Sequence, residues 1–176
     1  MLKYNYWKWE SQLSSKMCSL ILKETDWDNV DKAKVGSDTL DLNKRKAEIS
    51  WASPISVIGC ICNQYAIVAN KVAGWNFDLT TNQRVQMTKY NSSGDFYGWH
   101  MDSFEPVEGK QRKLSVSILL NEDFEGGEFD FENDENVLTK KGSILVFPSF
   151  LQHQVRPVTK GTRYSAVNWI EGEQFK

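Results

Sequence analysis

Residues 114–120 read Leu-Ser-Val-Ser-Ile-Leu-Leu, with Leu114, Val116, Ile118 and Leu120 on one side of an extended chain and Ser115 and Ser117 on the other. A period of two is incompatible with a helix, so this stretch is a strand with one strongly apolar face. The same alternation recurs around it. In residues 84–90, Gln86, Thr88 and Tyr90 share one face, and Val85 and Met87 take the other. Phe129 and Phe131 are spaced by Asp130 after a Gly126-Gly127 turn, residues 143–147 follow a Lys141-Gly142 turn, and residues 162–170 close the series. Residues 46–51 and 32–35 are further strand candidates, and residues 1–9 read as an edge strand or an arm packed on the domain.

Two segments have the helical period instead. In residues 10–24, Leu13, Met17, Leu20 and Ile21 recur at helical spacing. Ser53-Pro54 reads as an N-cap followed by proline at the first helical position; Ile58, Ile61, Tyr65, Val68 and Val72 form a stripe, and Gly74 is placed to stop the helix. Residues 36–43 read as an exposed loop. Helices followed by short strands with Gly-rich turns suggest a sheet sandwich or barrel, mainly β, with helices packed on one outer face. The expected organisation is a single domain over residues 1–176, with helical support over about 1–75 and a β core over about 76–172.

The net charge of −2 offers no basic field for nucleic acid or an anionic membrane, and no window approaches a membrane span, so a cytoplasmic protein is expected. Cys18, Cys60 and Cys62 form no CxxC pair, and Cys60 and Cys62 point to different sides of their helix. They read as small buried residues of a reducing compartment, not as a disulfide framework or a zinc site.

The chain has two histidines, and both fall in a pattern that suits a metal. His100 and Asp102 stand two apart in YNSSGDFYGWHMD, so that an extended backbone projects an imidazole and a carboxylate from one face. His153 follows the apolar run 144–147, and Arg163 lies ten residues beyond it. Two neutral imidazoles and one carboxylate on one face of an iron leave three positions free, enough for a bidentate 2-oxo acid and dioxygen. An arginine beyond them offers a planar fork for a distant carboxylate. A lone HxD pair arises by chance in many proteins; the whole order, with both histidines consumed, is far more specific.

The segments YNSSGDFYGWHMD, RKLSVSILLNEDFEGGEFDF and KGSILVFPSFLQHQVRPVTKGTRYSAVNWIEG resemble the 2-oxoglutarate and Fe(II)-dependent dioxygenases, and within them the prolyl 4-hydroxylase-like branch with its bacterial hydroxylases. The likeness runs over roughly residues 83–172. It implies a double-stranded β-helix, a distorted jelly roll of cupin-like form, with His100, Asp102 and His153 on Fe(2+), Arg163 on the C5 carboxylate of 2-oxoglutarate and Tyr90 hydrogen-bonding the same cosubstrate. O2 is the co-reactant, succinate and CO2 are released, and L-ascorbate is the expected reductant. A carboxylate at Asp102 favours hydroxylation over halogenation, in which related enzymes place a small residue there. Ser165 and Val167 alternate with Arg163 and should share its face, with Trp169 the next residue along and a core candidate.

A peptide or protein substrate containing proline is the first expectation from this resemblance, with Phe96, Tyr97, Trp99 and Phe104 as candidates for a groove around an extended segment. A free amino acid or other small molecule is the alternative. Nucleic-acid demethylation fits less well, because that branch carries a second arginine where this chain has Trp169. A non-oxidative cupin-like isomerase or metal-dependent binding protein is the competing class, although such sites more often use three histidines and a glutamate.

Overall fold

The computed structural model describes residues 2–34, 40–104 and 106–174. In chain order its elements are β1 (Trp7–Trp9), α1 (Ser15–Glu24), β2 (Asp31–Lys32), β3 (Arg45–Lys46), β4 (Glu48–Ala52), α2 (Val57–Val72), β5 (Thr81–Asn82) and β6 (Val85–Asn91). There follow β7 (Phe96–His100), β8 (Lys110–Leu119), β9 (Phe124–Gly126), β10 (Phe129–Phe131), β11 (Ile144–Pro148), β12 (His153–Val155) and β13 (Val158–Glu173). The strands form a larger antiparallel sheet ordered β1-β11-β8-β13-β6-β4-β2, with β5 and β9 also on β13, and a smaller one ordered β10-β12-β7-β3. This is the double-stranded β-helix that the resemblance implied.

The alternation along β8 divides the molecule into two cores. Leu114, Val116, Ile118 and Leu120 face the helices, together with Val85, Met87, Ile144, Val146, Ala166 and Ile170 from neighbouring strands. Leu119, Leu145, Phe147, Phe129 and Tyr90 fill a second core between the sheets. Ser115 and Ser117 also point between the sheets, and both are buried. A buried strand that keeps hydroxyls on its inner face marks where the roll's interior becomes polar.

Both helices begin later than their spacing predicted. The N-cap of α1 is Ser14, whose Oγ accepts from the Met17 amide at 3.2 Å, so residues 10–13 precede the helix. The N-cap of α2 is Ser56, accepting from the Gly59 amide at 3.3 Å, and Ser53-Pro54 belongs to the preceding turn. The buried face of α2 is Ile58, Cys62, Ala66 and Ala69, rotated from the predicted stripe so that Val72 is exposed; on α1, Leu20 is likewise exposed. Small side chains won the inner face because the helix lies close on the sheet, and a larger residue gains more by covering the rim. Gly74 ends α2 as expected, with φ +72° in the left-handed region. Cys60 is exposed, against the expectation that all three cysteines are buried, while Cys62 faces the sheet.

Among the other expectations, the strand at 32–35 is Asp31–Lys32, with Val35 outside the described residues, and the predicted loop at 36–43 lies partly outside them. The segment read as one strand over 46–51 is two, β3 in the smaller sheet and β4 in the larger, so the chain crosses between sheets at Ala47. Residues 162–170 lie within the longer β13, which joins β8, β6, β5 and β9.

Overpacking the helix–sheet contact should be costly. We expect Ala66→Leu, at a position with 0% exposure, to lower unfolding free energy by about 1–3 kcal/mol in urea denaturation. Ile67→Ala, on the exposed face of the same helix, should change it by less than about 1 kcal/mol.

Candidate active site

The two histidines meet because β12 pairs with β7. His153 and His100 are direct cross-strand partners, and the register then slips so that Val155 faces Tyr97. The extra residue on β7 turns Tyr97 and His100, three apart, toward the same interior, where their rings stack with centroids 3.4 Å apart. The His153 ring is packed by Phe129, at 5.3 Å and nearly parallel, and by Phe147 at 4.8 Å edge-on.

Asp102 is held by a different device from the extended strand expected for an HxD pair. β7 ends at His100, and the amides of Asp102 and Ser103 both donate to the Ser149 carbonyl, each at 2.9 Å. This tethers the carboxylate to the end of β11. His100 Nε2 then lies 3.6 Å from Asp102 Oδ1, and His153 Nε2 3.5 Å from Asp102 Oδ2. Ligand atoms of all three residues lie within 4.8 Å of one another, making this the metal-type cluster found among the described residues.

Hydrogen bonding behind the rings aims their free nitrogens inward. His100 Nδ1 donates to the Gly98 carbonyl at 2.8 Å and His153 Nδ1 to the Leu151 carbonyl at 2.9 Å. In a neutral imidazole this leaves the Nε2 lone pair directed at the shared point, the form a metal binds. Burial pushes the His153 pKa down to about 4, a shift that the nearby Asp102 carboxylate opposes but does not cancel, so this ring is neutral at neutral pH. Burial alone would raise the Asp102 pKa, but the two histidines beside it, with Arg112 further off, hold it well below the usual carboxylate range.

Deeper in the roll, Arg163 on β13 is the cross-strand partner of Tyr90 on β6. Its guanidinium is 1% exposed, lies 5.6 Å from the Tyr90 ring centre, and receives one partner, Ser165 Oγ at 3.1 Å from Nη1. Nε and Nη2 are buried without a hydrogen-bond partner. Burial lowers the Arg163 pKa, with Tyr90 acting the other way. A buried cation with two unanswered donors is strongly destabilising by itself, and a carboxylate is the group that answers both at once. Gly127 makes room for it: φ is +66°, and a Cβ there would stand 2.8 Å from Arg163 Cδ.

One chamber contains Tyr90, His100, Asp102, His153, Arg163, Ser165 and Val167, so the structure brings together the residues that the sequence assigned to the metal and the cosubstrate, with the two that share the face of Arg163. Trp169, expected in the core, is buried and also walls this chamber. Outside lies a groove of about 460 Å³ that shares Arg45, Gln86, Tyr97, Asp102 and Trp169 with the chamber. Phe104 lines it, but Phe96 and Trp99 do not; Trp51 does so in their place.

Three groups were missed by sequence reasoning. Arg112 lies over the Trp169 ring at 3.9 Å, donates to Gln83 Oε1 and reaches the Asp102 carbonyl. Arg45 is buried over the Tyr97 ring at 4.4 Å, bonded to the Lys34 carbonyl. Ser115 donates to Asp102 Oδ2 at 2.7 Å. The hydroxyl positions of β8 were the available signal for Ser115; nothing local marks Arg45 or Arg112.

A sequence model described as the 2OG-Fe(II) oxygenase superfamily matches residues 85–171, the span that contributes all five site residues. The chain belongs to that superfamily. A PKHD-type hydroxylase of Idiomarina loihiensis is 36% identical over 93 residues, which is 50% of this chain and 42% of that protein. The chain thus spans well under half the length of this relative. Among solved structures, the collagen prolyl hydroxylase of Paramecium Bursaria Chlorella virus-1, in complex with 2OG, superposes with a TM-score of 0.77 at 22% identity, covering 97% of each chain. A prolyl-4-hydroxylase of Pseudomonas putida gives 0.74 at 21% identity, covering 98% of this chain and 95% of its own. At these identities the likeness establishes the fold.

The buried neutral His153 has a consequence for stability. In the unfolded chain a histidine takes up its proton near pH 6.5, whereas the folded one refuses it down to about pH 4. The folded state is therefore favoured fully above pH 6.5 and loses that advantage as pH falls toward 4. In metal-free protein we expect the loss to be on the order of 1–3 kcal/mol, read from urea midpoints across this range. A His153→Gln variant should flatten the profile there.

Proposed function

We propose that this chain is a 2-oxoglutarate- and Fe(II)-dependent hydroxylase acting on proline within a peptide or protein, with release of succinate and CO2. In this reading His100, Asp102 and His153 hold Fe(2+), and Arg163 and Tyr90 hold the far carboxylate of 2-oxoglutarate. The observation that carries it is Arg163, buried at the floor of the metal-type cluster's own chamber with Nε and Nη2 unanswered. The donor set also suits ferrous iron, with two imidazole nitrogens and one carboxylate leaving open positions.

When bound, Fe(2+), 2-oxoglutarate and O2 supply the oxidant for an unactivated C–H bond. The residues of the chain do the rest. Arg163, with Ser165 on one nitrogen, fixes the far end of the diacid by a charge-assisted fork, while Tyr90 offers its hydroxyl beside it. Phe129, Phe147 and Val155 wall the histidines with apolar surface and keep water from the reacting side. L-Ascorbate is the proposed reductant that restores the ferrous state.

The open groove favours an extended substrate over a free amino acid. Trp51, Tyr97, Phe104 and Trp169 line it, and aromatic faces suit the preformed extended helix of proline-rich segments.

Anaerobic titration with Fe(II) and 2-oxoglutarate should give the visible charge-transfer band of a metal-bound 2-oxo acid. Absence of the band in iron-loaded protein would overturn the reading. We expect Asp102→Ala to abolish succinate release while its far-UV circular dichroism stays native. Arg163→Met should raise the half-saturating 2-oxoglutarate concentration by roughly a hundredfold or more, with a much smaller effect on iron affinity. Proline-containing peptides, and not free proline, should stimulate succinate release; the reverse result would assign a small-molecule substrate.

A further inference from the structure

Asp102 has two oxygens, and the structure treats them differently. Oδ2 accepts from Ser115 Oγ at 2.7 Å, and Ser115 Oγ lies 2.9 Å from Ser149 Oγ. All three residues are buried: Asp102 is 4% exposed, and both serines are 0% exposed. An ionised carboxylate only accepts, so the single Ser115 proton goes to Asp102. Ser149 must then be the donor in the second bond, and the chain of hydroxyls runs in one direction, from Ser149 through Ser115 to Oδ2.

The backbone fixes the same triangle. The Ser149 carbonyl receives the Asp102 and Ser103 amides, and the Ser149 amide donates to the Lys113 carbonyl at 2.9 Å, two residues before Ser115. Ser115 itself sits opposite Phe147 in the β8–β11 register, which brings its hydroxyl beside the residue that follows β11. Carboxylate, hydroxyls and supporting amides thus come from three chain segments that are locked to one another. Each oxygen faces one imidazole, Oδ1 at 3.6 Å from His100 Nε2 and Oδ2 at 3.5 Å from His153 Nε2, so the hydroxyl on Oδ2 is what sets the two apart.

We propose that the Ser149–Ser115 relay is a positioning device that holds Oδ2 by a hydroxyl, weakens it as a ligand and leaves Oδ1 as the oxygen Asp102 offers to the metal. This rests on the metal-binding reading of His100, Asp102 and His153 given above. Its chemical consequence is the number of open positions. Two imidazole nitrogens and one carboxylate oxygen leave three positions on a six-coordinate ion, whereas a carboxylate free to bind through both oxygens leaves two. A 2-oxo acid and dioxygen together need three. Ser115 and Ser149 touch neither, and act through Asp102.

The test compares the full chain with Ser115→Ala, Ser115→Thr and Ser149→Ala, first by anaerobic Fe(II) affinity without 2-oxoglutarate and then by the charge-transfer band with it. We expect Ser115→Ala to lose about tenfold in Fe(II) affinity and to show a shifted or weakened band, Ser149→Ala to lose less, and Ser115→Thr, which keeps the hydroxyl, to restore the wild-type values. If Ser115→Ala binds Fe(II) as wild type does and gives an unchanged band, with only a lower melting temperature, the hydroxyl is a packing element and the proposal fails. Should Ser115→Ala not fold, Ser149→Ala decides: wild-type affinity and band in that variant would overturn the relay. A band absent from the wild-type protein would instead bring down the 2-oxoglutarate reading, while the affinity comparison would still judge the relay.

Discussion

The pairing of β12 with β7 is the contact on which the site depends. It sets His153 opposite His100, and the register slip beside that pair turns Tyr97 inward as well. Neither strand is long, and neither would be stable as an isolated hairpin in water. What holds them is the second core, in which Phe129, Phe131 and Phe147 pack around the His153 ring. The same aromatic shell desolvates that ring and keeps it unprotonated. Packing, register and the protonation state needed for metal binding are therefore one arrangement seen at three levels.

The interior of the roll departs from an ordinary apolar core. Gln86, Thr88, Asp102, Ser115, Ser117, Arg163 and Ser165 are buried polar groups, most of them facing inward from the larger sheet. Several satisfy one another, as Gln86 does with Thr88 and Ser115 with Asp102. Arg163 does not: it leaves two nitrogens unanswered, and Arg45 Nε and Trp169 Nε1, on residues lining the same chamber, are also without a partner. The absence of a Cβ at Gly127 leaves the room that the arginine stem occupies. Stored cost of this kind is expected where a ligand completes the structure.

Much of this was legible in the residues. Strand alternation in β6 and β8 sorted helix-facing from interior positions correctly, since a period of two admits no ambiguity once one face is strongly apolar. The five site residues stood out because the chain spends both of its histidines on them. The helix faces were harder. In α2 the large residues Ile61, Tyr65 and Val68 drew the predicted stripe, yet close approach to the sheet favoured Cys62, Ala66 and Ala69, and no periodicity count weighs closeness. The cap of α2 was misplaced for a related reason, because Ser53 and Ser56 are equally good caps and only the turn between them chooses. Arg45 and Arg112 carried no local signal at all. Their positions over Tyr97 and Trp169 follow from strands brought together by long-range topology.

The site is divided between the two sheets. His100 and His153 stand on the smaller one, whereas Arg163, Tyr90 and Ser115 stand on the larger, and Asp102 is tied across to the end of β11. The span from the histidines to Arg163 is therefore a gauge of how far apart the sheets sit. A residue such as Leu119 or Leu145, wedged between them and remote from any chemistry, sets that gauge as surely as a ligand does. In the proposed reading, volume changes in this layer would be felt far from where they are made, as a mismatch between the two ends of a bound 2-oxo acid.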